Sequence, residues 1–166
     1  MRSDYDWNRA LADILASAHY GDVPLCYIWS AVIDASSDES QISDEELMER
    51  TLRLLKHCLA EGYLVAGETF RIGPEPPPGL SPEERLRWYH AYVREHGPTL
   101  DWRPWDMGYS KALKKIAREW KAIEQPFSDP TAMYCIVTLV PTLKAMRKYE
   151  RLRKQLKLDE EQEDDD

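Results

Sequence analysis

The stretch from Ser43 to Gly62 constrains the fold more than any other. Ser43-Asp44-Glu45-Glu46 has the form of a capping box, in which the serine hydroxyl and the Glu46 side chain satisfy orphan amides reciprocally. Leu47, Thr51, Leu54, Leu55, Cys58 and Leu59 then recur at helical spacing, and Gly62 stands where a helix needs a C-terminal cap. A long helix with a single apolar stripe follows, and that stripe must find partners.

Two shorter amphipathic segments precede it. Ser3 can cap a first helix with Asp4 and Asp6 in its first turn, and Trp7, Leu11, Ile14, Leu15 and Ala18 form its apolar face up to Gly21-Asp22. Pro24 suits the first turn of a second helix whose inner side is Leu25, Ile28, Trp29, Val32 and Ile33. Behind the long helix, Tyr63-Leu64-Val65-Ala66 and Thr69-Phe70-Arg71-Ile72 read as strands joined by Gly67-Glu68. Glycine at the first turn position is what a type II′ hairpin requires.

The second half is also mainly helical. Gly73 to Gly79 is a proline-rich connector, and Ser81-Pro82-Glu83-Glu84 is a second capping box opening a helix through Leu86, Tyr89, Ala91 and Val93. After an aromatic loop, Leu100 to Asp106, a helix is expected from about Tyr109 to Glu124, with Leu113, Ile116, Ala117 and Trp120 inward. The apolar run Met133 to Val140 reads as a buried strand, and a basic helix closes the pattern from Thr142 to about Leu158. The predicted fold class is α+β, mainly helical. Three helices plus a β-hairpin (3–72) pack on a helical half (81–158) with one extra strand near 132–140. Residues 1–158 form a single domain, and 159–166 form an acidic disordered tail.

The order helix, helix, helix, hairpin from Trp7 to Ile72 resembles the winged helix-turn-helix fold. The resemblance is carried by Val23-Pro24-Leu25 entering the second helix and by Leu54 to Val65 leaving the third. The chain also resembles small bacterial proteins that join such a segment to a tryptophan-rich C-terminal half. Two departures stand out. The turn Ser36 to Ile42 is about seven residues, longer than the usual DNA-binding motif. In addition, the turns that would enter the major groove carry Asp44, Glu45, Glu46 and Glu49, preceded by Asp38 and Glu39.

Charge sharpens the point. The net charge is −8. Residues 142–158 hold seven bases against Glu150, and the tail 159–166 holds seven acids and no base, which leaves residues 1–141 at −7. An acidic body repels phosphate and attracts basic partners. No apolar run approaches the roughly 20 residues that span a bilayer, and Met1-Arg2-Ser3-Asp4 leads into a charged amphipathic segment rather than a secretory pattern. A cytoplasmic protein without membrane association is therefore expected. Cys26, Cys58 and Cys135 are far apart among apolar neighbours, which reads as buried thiols in a reducing compartment.

Chemistry is sparse. His19, His57, His90 and His96 show no helical i, i+4 metal pair, and neither a nucleophile elbow nor a phosphate loop is present. No catalytic residue, metal or cofactor is expected. Trp102 and Trp105 around Arg103-Pro104 form either an interface hot spot or a plug between the halves. The expected function is thus an acidic, non-enzymatic module that occludes a basic protein, as an immunity protein, antitoxin or nucleic-acid mimic would. Its expected contacts are Asp38, Glu39, Asp44, Glu45, Glu49, Trp102 and Trp105. The alternative is a winged-helix transcription regulator touching DNA through Arg50, Arg53, Lys56 and the basic last helix.

Overall fold

A computed structural model describes residues 6–36, 42–126 and 130–156. The first helix, α1 (Trp7–Ser17), is capped by Asp6, whose carboxylate accepts the Arg9 N–H at 3.0 Å. The expected cap, Ser3, lies outside the described residues. Leu11, Ile14 and Leu15 are buried as their spacing requires. Gly21, at φ 133°, turns the chain into a two-residue strand, β1 (Val23–Pro24). Pro24 then occupies the N-cap of α2 (Leu25–Asp34) rather than its first turn.

The long helix, α3 (Asp44–Ala60), begins at Ser43, whose hydroxyl accepts the Glu46 N–H at 3.2 Å. Only that half of the expected capping box forms. The Glu46 carboxylate is taken by Arg50 one turn on, at 3.0 Å. The far end closes as a Schellman turn: Gly62 sits at φ 72°, its N–H meets Leu59 O, and the Tyr63 N–H meets Cys58 O at 2.9 Å.

Beyond Gly62 the hairpin expectation fails. Residues Leu64–Arg71 form one uninterrupted strand, β2, and Gly67 does not adopt the positive φ that a type II′ turn demands. The strand stays extended because it has a ladder on each side: Leu64 to Gly67 pair antiparallel with β4 (Thr138–Pro141), and β3 (Leu100–Pro104) is its other neighbour in the order β1-β4-β2-β3. A second correction concerns Met133 to Val140. This run is helix up to Ile136, in α6 (Pro130–Ile136), and only its end is β4. Apolar throughout, it carries no periodicity to mark the change. Met133 and Ile136 face inward while Cys135 is exposed, Cys26 is half-buried and Cys58 alone is fully buried, so the expectation of three buried thiols is corrected as well. Burial pushes the Cys58 thiol up to about 12.

The chain divides into two compact units. One comprises residues up to Gly67 together with those from Pro104 onward; the other is Glu68–Arg103. In the first, α2 packs on α1 and α3, α5 (Tyr109–Lys121) on α3, and α7 (Leu143–Leu156) on α1. Trp120 is fully buried there, edge-on to Trp29 at 5.5 Å, with its indole N–H donated to Pro126 O at 2.6 Å. The second unit holds α4 (Pro82–His96), whose capping box at Ser81 and Glu84 forms completely. No residue of α4 is buried: Leu86 and Val93 are 56% and 42% exposed. Trp88 instead stacks on Tyr92 at 5.3 Å, and Tyr92 lies against His96.

One residue joins three elements of the first unit. The Thr142 hydroxyl donates to Gly62 O at 2.7 Å, its oxygen accepts the Ala145 N–H that opens α7, and its own N–H meets Tyr63 O. Replacing Thr142 with valine removes an N-cap and a half-buried hydrogen bond together. Urea denaturation should show a loss of about 1–2 kcal/mol. Gly62→Ala should cost about 1–2 kcal/mol through backbone strain alone, since nothing obstructs the added methyl.

Candidate functional site

Helix ends, rather than any cavity, gather the charged groups. α1 and α2 run antiparallel, tied by the Asp6 N–H to Ala35 O at 3.0 Å. Ser36, just past α2, accepts a hydrogen bond from the Arg50 guanidinium of α3 at 3.2 Å and donates to Val32 O. The start of α1, the end of α2 and the start of α3 therefore meet at one end of the three-helix assembly. Asp6, Asp34, Asp44, Glu45 and Glu46 come with them, and Asp13 lies two turns along α1.

Asp13 responds to burial first and to its charged neighbours second. Burial raises its pKa above the ordinary 3.8; Arg9 opposes the rise, while Asp34 and Asp6 add to it. Other acids are partly answered. Glu46 pairs with Arg50 and Glu49 with Arg53, each across one helical turn. Asp34, Asp44 and Glu45 are exposed and, among the described residues, have no ion-pair partner.

Of the sequence-predicted contacts, Asp44 and Glu45 thus stand open to solvent, Glu49 is half-neutralised, and Asp38 and Glu39 lie outside the described residues. Asp13 and Asp34 were missed. Each is the single acid of its helix, and only the antiparallel pairing of α1 and α2 brings them together. The tryptophans fall in different units. Trp105 is half-buried against the core of the first, its N–H donated to Ala66 O and the Lys115 ammonium 5.0 Å above its ring. Trp102, on β3, belongs to the second, where Arg103 binds Glu68 at 2.6 Å and covers the Phe70 ring.

Only some of the bases expected to touch DNA are engaged. Arg50 has only 15% of its side chain exposed, Arg53 is held by Glu49, and Lys144 donates to Glu61 O at 2.6 Å as a cap on α3. Lys56, Arg147, Arg151 and Lys154 remain exposed. The histidines sit against aromatic rings at His57 (Trp7 and Tyr63), His19 (Tyr149) and His96 (Tyr92). Among the described residues no group of His, Cys, Asp or Glu is arranged to hold a metal, and no helix is long and apolar enough to cross a membrane. A groove of about 190 Å³, lined by Leu59, Val65, Trp105, Met107 and Tyr109, offers apolar contact and one phenol.

The Asp13 arrangement has a defined pH signature. A carboxyl whose folded pKa is raised favours its protonated form in the fold, so its ionised form weakens the native state at neutral pH. That penalty fades as pH falls through the raised value and is gone below 3.8. Asp13→Asn should therefore raise the denaturation midpoint at about pH 7 and leave it unchanged at about pH 3, in paired thermal or urea melts. Comparison with known protein families, with curated proteins and with solved structures finds no match to the chain.

Proposed function

We propose that the chain is a protein-binding module whose activity is to engage a basic partner through the acidic end formed by α1, α2 and α3. The observation that carries this reading is the convergence of Asp6, Asp13 and Asp34 with Asp44 and Glu45. The ends of α1 and α2 and the start of α3 bring like charges to one end of the assembly, and Asp34 and Asp6 add to a rise in the Asp13 pKa that burial dominates. Such a cluster weakens the compact state by self-repulsion, and a cationic surface would relieve it. Occlusion of a basic protein, in the manner of an immunity protein, an antitoxin or a nucleic-acid mimic, uses this feature directly.

The scaffold reading belongs to the same proposal. The order α1, β1, α2, α3, β2, with β4 returning between β1 and β2, supports a winged-helix ancestry. The excursion from β2 to β4 then stands where a simple wing would be. α3 occupies the position of a recognition helix, yet its first turn is acidic and its Arg50 is turned into the fold. The surface is therefore read as facing protein rather than base edges.

Capture from nuclease-treated extract of the native host tests the proposal. Tagged wild type should retain a basic protein, identified by mass spectrometry, and the variant Asp34→Lys/Asp44→Lys/Glu45→Lys should lose about tenfold or more of it. Undiminished capture by the variant sinks the acidic-end reading. Absence of any captured basic protein from the nuclease-treated extract sinks it too.

A further inference from the structure

The outer face of α5 carries a second, oppositely charged surface. Its inner face, Ala112, Ile116 and Trp120, is buried against the core, where the helix packs on α3 and α6. Lys111, Lys114, Arg118 and Lys121 follow at spacings of three, four and three residues on the opposite side, and all four are exposed. At 1.5 Å per residue this is a straight stripe about 15 Å long. The acid on the helix does not interrupt it: Glu119 lies on the flank and pairs with Lys115. Among the described residues none of the four stripe bases has an ion-pair partner. The helix also starts at Gly108 with no side-chain cap and no acid in its first turn, so its dipole adds to the same sign at the Lys111 end.

We propose that this stripe binds the phosphate backbone of a nucleic-acid duplex. Four exposed cations along one helix face, without an intervening acid, match a regular row of phosphates. A membrane surface fits less well, because an interfacial helix sets large apolar side chains beside its bases. Here the helix's Ala112, Ile116 and Trp120 side is buried, and no large apolar side chain stands among the four cations. Three of the four are lysines, point charges without the bidentate fork of arginine, so the contact holds the backbone and does not read bases. This surface is separate from the acidic end and does not rest on it. A chain with both could hold a basic nucleic-acid-binding protein and its duplex at once.

Fluorescence anisotropy of the full chain with a labelled mixed-sequence duplex, about 20 base pairs long, between about 50 and 200 mM salt, is the test. Wild type should bind with affinity falling about three to four decades per decade of salt, as four phosphate contacts require. The variant Lys111→Gln/Lys114→Gln/Arg118→Gln/Lys121→Gln should lose that binding. Arg147→Gln/Arg151→Gln/Lys154→Gln, on α7, should keep it. Lys114→Gln alone should lower the salt slope by about one, which keeps the proposal testable even where the fourfold variant folds poorly. Absence of wild-type binding at about 50 mM salt overturns the proposal, as does binding that the α5 variants leave intact. Stripe-dependent binding to phosphatidylserine vesicles without duplex binding overturns it as well. None of these outcomes bears on capture of a basic protein by the acidic end.

Discussion

The junction at the C-terminus of α3 is the constraint on which the first unit depends. A helix end leaves carbonyls that must be satisfied, and the chain must also reverse into β2. Gly62 solves the geometry through its left-handed conformation, and α7 solves the hydrogen bonding. Thr142 reaches Gly62 O, Lys144 reaches Glu61 O, and the same Lys144 ammonium lies 5.5 Å from the Tyr63 ring. Because Thr142 also begins α7, the end of one helix and the start of another are fixed by one side chain. β2 and β4, which flank this point in sequence, are thereby held in register from Leu64 opposite Pro141.

Electrostatic order follows from the same helix. Acids crowd the first turn of α3 and a lysine meets its last carbonyls, so both ends obey the macrodipole. What exceeds that rule is the delivery of further acids to the same end by α1 and α2. α5 departs in the other direction, beginning with no acid and carrying bases along its outer side. The local requirements of a helix account for Asp44, Glu45 and Glu46. They do not account for Asp34 near Asp13, or for Lys111 at a start the dipole makes positive.

Helix identity was legible wherever a cap met a 3.6-residue period, as at Ser43 and Ser81. Strand partnership was not. Gly67-Glu68 has the letters of a tight turn, and local chemistry alone favours a hairpin there; two neighbours distant in sequence hold it extended instead. At Met133 to Val140 the change from helix to strand is set by which residues lie between β1 and β2, information the run does not contain. The acidic site divided in the same way. Asp44 and Glu45 were visible because they share a helix with their cap, whereas Asp13 and Asp34 required knowing that α1 and α2 lie side by side. The basic stripe of α5 was written in the sequence as Lys111, Lys114, Arg118 and Lys121, but the buried Trp120 side had to be placed before the outward side could be assigned.

The central place of β4 has a consequence for how the protein is made. β1 and the first half of β2 have no strand neighbour between them until residues 138–141 arrive. During synthesis the three leading helices can assemble early, since their contacts are short-range, yet the sheet edge at Leu64 to Gly67 stays unpaired while about seventy further residues are added. Ribosome-bound intermediates of this chain would carry an open strand edge of the kind that recruits chaperones or other strands. Its closure places Thr142 against Gly62 in the same event, and only the docking of α7 on α1 remains to follow.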